Sequence, residues 1–541
     1  MTYDPSRVRD GGILRRNDQS SSRTLVILVH GWRQDNTQWL PLINLAGADP
    51  KFEGCDFYLF GYHREFRFST SLEQLGSALS NSIDLHAKGY DRIVMIGYSV
   101  GGLIVRAAFV NALGVNGEGG HPWAERVARI VLMATPNRGV GGPGTSLFRR
   151  FEISLAKMFG PCLLRDAIKG SDFITRLRLD WVHAFRSQDF RTPEVVQLLG
   201  VQDEYVNRHD SNDVTIFADA KLFTLANAKH TDLATFRNAD DEKYLRLRAS
   251  CFDALADFKG EEAAPPEKPP SCIVFELHGI RDYGGWLAKF GRTVKEIDPH
   301  AKVVGPGYGW FSVLDFLIPS RRRRRIAWFC DRYTEECAAL ATIESDVPFY
   351  FVGHSYGTYL LAQCLDRFPR MHFRRACLVG SVVNEQFQWS RIIQRKQLEG
   401  LRNDCASHDW PVGICCRLLN QAGVRELGIG GFVGFRVGVP DAVDYLHIQG
   451  NHSATLTSEV LRRNAAEYLL LNNAVAPETV PAPRWLQMAS RFAILLALMV
   501  LFVLAPATVT AVDAAAHAIG IGPHFIVAGS ALAAILTLIY I

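Results

Sequence analysis

The chain carries little excess charge. Lys and Arg number 59 against 55 Asp and Glu, a net +4 over 541 residues. Dedicated nucleic-acid binders show a strong basic surplus, so no nucleic-acid partner is expected. Cysteines are scattered, 11 in all with no C-x-x-C pair. This excludes a disulfide framework and a zinc site built on paired cysteines. There is no H-E-x-x-H. The run Gly428-Ile-Gly-Gly431 lacks the Lys-Ser/Thr ending that holds nucleotide phosphates. Neither a metal nor a cofactor is expected. The stretch through Asp4, Arg7, Arg9 and Asp10 lacks the apolar run of a secretory signal. Reduced thiols without an export signal place the bulk of the chain in the cytosol.

Long apolar runs are confined to the C-terminal end. Residues 492–512 and 525–541 are almost free of charge, and Arg484 and Arg491 flank the first. About 20 helical residues cross a bilayer. A two-helix membrane anchor over 491–541 is therefore expected, and the basic flank keeps the preceding domains on the cytoplasmic side. A buried helical hairpin is the alternative.

At roughly 150 residues per domain, the length suggests two to four domains. Residues 260–270 (GEEAAPPEKPP) and 474–483 (AVAPETVPAP) are Pro-rich spacers. The expected division is a first domain over 1–258, a linker over 259–271, a second domain over 272–472, a linker over 473–490 and the tail. The two domains repeat one order of signals. An apolar strand ends in His-Gly, as Thr24-Leu-Val-Ile-Leu-Val-His30-Gly31-Trp32 and as Ile273-Val-Phe-Glu-Leu-His278-Gly279-Ile280. Roughly 70 to 80 residues later comes a strand, a Gly-x-Ser-x-Gly turn and an apolar helical stretch. Alternating β and helical runs predict mostly parallel α/β sheets.

The turns are Gly97-Tyr98-Ser99-Val100-Gly101 and Gly353-His354-Ser355-Tyr356-Gly357. A tight strand-to-helix turn lifts the serine hydroxyl out of the sheet, and side chains at the flanking glycines would clash. One such motif is weak. Two, each placed strand–motif–helix after a His-Gly, are strong. On these residues both halves resemble the α/β-hydrolase family, with Gly97-Tyr-Ser-Val-Gly-Gly102 resembling its lipase and esterase branch.

The resemblance implies that Ser99 and Ser355 are nucleophiles. The oxyanion holes would use the backbone of Trp32, or its neighbour, and Val100 in the first half, and of Ile280 and Tyr356 in the second. A serine hydroxyl needs a histidine to take its proton and a carboxylate to hold that histidine. In this fold they follow in the order Ser, acid, His. His230 follows the strand-like Phe223-Thr-Leu, and His452 follows Tyr445-Leu-His-Ile448. Gly200-Val-Gln-Asp203 resembles the family's acid turn, which favours Asp203 over Glu204 and Asp210. In the second half Asp409 is preferred to Asp404, which sits too early. Ala134-Thr-Pro-Asn-Arg-Gly139 also resembles lipases of this fold.

Two stretches bear on the substrate. The insertion over 139–192 mixes apolar and basic positions, as cap helices or ordinary core helices would. Arg321, Arg322, Arg323, Arg324 and Arg325 form an unbroken basic run, suited to anionic lipid headgroups at about 1 kcal/mol per residue near such a surface or to a solvated helix face. The expectation is a membrane-anchored lipase or esterase cleaving lipid esters through two Ser-His-Asp triads. An acyl thioesterase is a close variant. The alternative from another class is a membrane-tethered binding or signalling module with one or both domains silent.

Overall fold

The computed structural model describes residues 4–8, 11–15, 23–32, 34–62, 70–114, 120–141, 162–186, 192–201, 203, 206, 220–226, 228–254, 269–279, 285–305, 316, 318–340, 347–435 and 442–499. The chain divides into two compact units, Met1–Lys268 with Cys330–Ser345, and Pro269–Phe329 with Asp346–Ile541. Most of the spacer at 260–270 and all of 500–541 lie outside the described residues.

The first unit is built on a seven-stranded sheet. In chain order its strands are β1 (Gly12–Leu14), β2 (Thr24–Val29), β3 (Cys55–Phe60), β4 (Arg92–Tyr98), β5 (Val127–Met133), β6 (Glu194–Gly200) and β7 (Ala220–Leu225). Across the sheet they run β1-β3-β2-β4-β5-β6-β7. Only β1 is antiparallel to its neighbour. Its central strands are continuous apolar runs, because parallel strands covered by helices bury both faces. Val26, Leu28, Val94, Ile96, Val131 and Met133 form one face of the core. The helices Leu72–His86 and Val100–Ala112 pack so closely that a Cβ on Gly76 would lie 2.6 Å from Cβ of Ala107.

The second unit has six strands: β8 (Ile273–Leu277), β9 (Lys302–Val304), β10 (Phe349–His354), β11 (Phe373–Val379), β12 (Leu398–Ala406) and β13 (Ala442–Ile448). The spatial order is β13-β12-β11-β10-β8-β9, and every pairing is parallel.

Both chains of strands reverse direction at one point. The polypeptide leaves β2 for β3 on one side, then returns to β4 on the other. It likewise leaves β8 for β9 and returns to β10. Open α/β sheets present their sites at the C-terminal strand ends beside such a switch. The registers coincide there: Val29 pairs with Gly97, and Leu277 pairs with Gly353. Each His-Gly therefore lies beside its serine turn, despite different loop lengths between them.

The membrane anchor, and with it the placement of the domains on the cytoplasmic face of a bilayer, is overturned. Among the described residues no helix is long and apolar enough to cross a membrane. Of 491–541 only 491–499 is described: a turn at Phe492 and helical residues 493–499, preceded by the short helix Arg484–Arg491, which buries Leu486 and Ser490. The spacer before it is not bare linker, since Val480 N–H donates to the His447 carbonyl at 2.7 Å and Thr479 bridges to Ile448.

The five-arginine run is not a uniform solvated face. It starts the helix Pro319–Ala339. Arg322 is buried, donating to the Phe316 carbonyl at 2.8 Å and pairing with Glu426, while Arg321, Arg323 and Arg324 are exposed and Arg325 is half-buried. Of the insertion, residues 142–161 lie outside the described residues. Phe173–Trp181 belongs to the helix Asp172–Arg186, where Trp181 packs against Phe109 and beneath the Arg106 guanidinium, so this part flanks the sheet.

Candidate active site

Each serine ends a strand and starts a helix in a left-handed backbone conformation. Ser99 has φ 54° and ψ −124°, and Ser355 has φ 52° and ψ −116°. A non-glycine residue there costs about 1–3 kcal/mol and persists only when its surroundings hold it. They do. Ser99 N–H donates to the Met133 carbonyl at 2.7 Å, and Ser355 N–H to the Val379 carbonyl at 2.9 Å. The helix also presses onto the neighbouring strand. A Cβ on Gly101 would lie 2.4 Å from the carbonyl oxygens of Val29 and His30, and one on Gly357 would lie 2.5 Å from that of Leu277. The motif needs glycine at these positions for close approach.

In the first unit three predicted residues meet. His230 Nδ1 lies 2.7 Å from Asp203 Oδ2, and His230 Nε2 lies 3.0 Å from Ser99 Oγ. A carboxylate only accepts hydrogen bonds, so the imidazole proton sits on Nδ1 and leaves the Nε2 lone pair facing the serine hydroxyl. The Asp203 side chain is fully buried, and its Oδ1 accepts from Val206 N–H at 2.9 Å. Both carboxylate oxygens are thereby fixed. Glu204 and Asp210, the other acids weighed, lie outside the described residues.

The second unit holds the matching acid and histidine. His452 Nδ1 lies 2.8 Å from Asp409 Oδ2, whose other oxygen accepts from Val412 N–H at 3.0 Å. The Asp409 side chain is fully buried. Asp404 is engaged elsewhere, inside β12, by Arg402 and Thr455. No hydrogen bond among the described residues joins Ser355 Oγ to His452. The His452 ring lies against Gly380 and, at 4.7 Å between centroids, beside the His354 ring. Unliganded sites often hold such bonds long or misaligned. The serine–histidine contact thus distinguishes the first site from the second.

The His-Gly turns fold alike. Nδ1 of His30 lies 3.0 Å from the Gly31 carbonyl, and Nδ1 of His278 lies 2.9 Å from that of Gly279. Tyr62 stacks on His30 and donates its hydroxyl to the His30 carbonyl at 2.9 Å. A Cβ on Gly31 would strike Tyr98 and lie 3.2 Å from Cβ of Ser99, which brings this loop onto the serine turn. Trp32 follows it directly. Val100 and Tyr356 are the first residues of the helices behind their serines, with amides at the positive end of the helix. Ile280 lies outside the described residues. Ala134-Thr-Pro-Asn-Arg-Gly139 supplies a buried network at the end of β5, in which Asn137 receives Arg106 and donates to Gln197 at 3.1 Å.

Sequence reasoning missed the tethers between turn and histidine loop. Tyr98 Oη donates to the His230 carbonyl at 2.7 Å, and His354 Nε2 lies 3.2 Å from Ser453 Oγ. Both are the variable residue before the serine. Their polar side chains in an otherwise apolar strand were the available signal.

Sheet order, the switch point, the strained serine and the acid–histidine pair now stand together in each unit. Each unit carries a parallel or mostly parallel sheet flanked by helices, an α/β architecture of the kind that hydrolase domains use. Solved structures similar to part of the chain include a putative hydrolase from Agrobacterium vitis, 19% identical over 44% of this chain and 92% of that one, TM-score 0.31. A monoacylglycerol lipase from Paleococcus ferrophilus is 16% identical over 43% and 93%, TM-score 0.29. A soluble variant of the monoglyceride lipase from Saccharomyces cerevisiae, in complex with a substrate analog, is 15% identical over 43% and 86%, TM-score 0.31. No family model and no curated protein matches the sequence.

Proposed function

We propose that the chain is a serine hydrolase of lipase or esterase type that cleaves carboxylic esters, lipid esters foremost. The observation that carries this is the continuous relay from Asp203 through His230 to Ser99. In this reading Ser99 Oγ attacks the ester carbonyl while His230 Nε2 takes its proton. Asp203 holds the tautomer and stabilises the imidazolium. The backbone N–H groups of Val100 and Trp32 receive the oxyanion, a donor of this kind being worth about 10²–10³ in rate. His230 then returns the proton to the departing alcohol, and water resolves the acyl-enzyme. Ser355, His452 and Asp409 would repeat the steps with Tyr356 and Ile280 as donors. Thioesters suit the same residues. Exposed Arg323 and Arg324 suit anionic lipid headgroups, which flotation with acidic vesicles would test against Arg323→Ser/Arg324→Ser.

A second reading applies to the second unit alone. The missing contact between Ser355 and His452 favours a unit that binds without catalysing. Labelling with a fluorophosphonate, read by intact mass in wild type, Ser99→Ala, Ser355→Ala and the double variant, separates these. Two adducts, each lost with its own serine, support two nucleophiles. One adduct lost only in Ser99→Ala leaves the second unit as a binding module. No adduct on folded protein defeats the hydrolase reading.

A further inference from the structure

A cavity of about 190 Å³ in the first unit is lined by Gln34, Thr37, Gln38, Tyr98, Thr231 and Thr235, among others. Tyr98 and Thr231 are the chain neighbours of Ser99 and His230. Gln38 Oε1 accepts from Gly31 N–H at 3.4 Å. The cavity therefore borders the serine turn, the histidine loop and the His-Gly loop together. It is smaller than the roughly 300–1,000 Å³ of sites that enclose a whole drug-sized ligand, so it suits one end of a substrate.

Its chemistry is narrow. Among the described residues that line it there is no charged side chain. Three hydroxyls have already spent their protons: Thr37 on Asp35, Thr231 on Asp232 at 3.4 Å, and Thr235 on the Thr231 carbonyl at 3.3 Å. Each retains lone pairs, so each can only accept from a ligand. Gln38 offers the opposite. Its oxygen is held by an amide N–H, which fixes the orientation of the side-chain amide. Nε2 is then buried with no hydrogen-bond partner among the described residues. A buried donor without an acceptor is costly until something supplies one. The complement is an uncharged group with several hydroxyls, able to donate repeatedly and to accept at least once.

We propose that this cavity binds the neutral polyhydroxyl alcohol of an ester substrate, a glycerol-like moiety, on the leaving-group side of the first site. The side follows from His230, which returns the proton to the departing alcohol and whose next residue, Thr231, lines the cavity. The proposal rests on the reading of Ser99 as nucleophile, but the cavity can be tested without turnover.

The probe is an uncleavable 1-O-alkyl glycerol ether, titrated into full-length Ser99→Ala protein by calorimetry beside the ethyl ether of the same alkyl chain. The glycerol ether binds tighter, and adding Gln38→Leu or Thr235→Val erases about ten-fold of that advantage while leaving the folded protein's unfolding midpoint in place. Equal binding of the two ethers overturns the proposal. So does tighter binding of the corresponding glycerophosphate ether, which would assign the cavity to an anion. In the active protein the ratio of kcat/KM for a glyceryl ester to that for an ethyl ester falls by the same factor in either variant. If Ser99 resists fluorophosphonate and no ester is cleaved, the hydrolase reading fails, and ether binding still decides the cavity. If Ser99 reacts, ethyl esters are cleaved and the glycerol ether has no advantage, the cavity proposal alone falls.

Discussion

Tyr98 Oη donates to the backbone carbonyl of His230 at 2.7 Å, so the residue before the proposed nucleophile holds the loop that carries the proposed base. The ring also lies 5.4 Å from the imidazole. One hydrogen bond is worth about 1 kcal/mol. Tyr98→Phe keeps the ring and removes the bond. It is expected to lower kcat about five- to ten-fold with KM little changed, because a looser histidine spends less time facing Ser99. Steady-state kinetics on one ester checks this; a rise in KM at constant kcat would assign Tyr98 to substrate binding instead.

Asp203→Asn tests the tautomer argument. An amide presents a donor as readily as an acceptor, so the imidazole proton is free to move to Nε2 and block the serine. A loss of about 10⁴ in kcat is expected for such a change. Folding should be preserved, since the side chain remains buried and near-isosteric. A loss of less than ten-fold would mean that the Asp203–His230 contact is structural rather than catalytic.

The two serines should react unequally. Ser99 already hydrogen-bonds to His230, whereas Ser355 must first gain its contact with His452. Fluorophosphonate adducts are expected at Ser99 at least about ten times faster than at Ser355, an energetic difference of the size of one hydrogen bond. Time-resolved intact mass on Ser355→Ala and Ser99→Ala gives the two rates. Equal rates would mean that the second relay closes without cost.

Glu276 predicts a pH effect on stability. It lies in β8, two residues before His278, almost completely shielded from solvent, and Oε1 has no hydrogen-bond partner among the described residues. Burial pushes its carboxyl up to about 9 from an ordinary value of 4.5. Between those values the folded chain keeps a proton that the unfolded chain gives up. The contribution of Glu276 to stability is therefore greatest below the ordinary glutamate range, declines as pH rises and levels off above about 9. Glu276→Gln mimics the protonated acid. It should raise the unfolding midpoint at pH 8, by an amount corresponding to a few kcal/mol or less, and match wild type near pH 4.5. A variant less stable than wild type at pH 8 would show that the ionised carboxylate is tolerated.

Much of the site is legible locally. The serine turns are specified by a few consecutive residues, because only glycine permits the approach seen at Gly101 and Gly357, and an apolar strand before an apolar helix is visible in the order of side chains. His230 and His452 follow from chain order within the fold. Asp203 and Asp409 are chosen on a turn pattern and on chain position, and the loop geometry points both at a histidine; Asp404 shows what such a choice turns on. It is a buried acid five residues earlier, and its oxygens are taken by Arg402 and Thr455.

Composition misled at the C-terminal end, because an apolar run states a preference for burial without stating what supplies it: of its described part Ala493 is buried, while Phe492, Leu495, Leu498 and Met499 are exposed. The five arginines likewise read as one basic patch until the helix turned Arg322 inward to Glu426. By itself the sequence determined two α/β units and the two serine turns, since strand periodicity and glycine sterics act over a few residues. Only the tertiary structure decided which histidine reaches its serine, what Tyr98 and Gln38 do, and where a polar cavity opens. These depend on contacts among residues as much as 132 positions apart, as between Tyr98 and His230, and no local pattern encodes a distance in space.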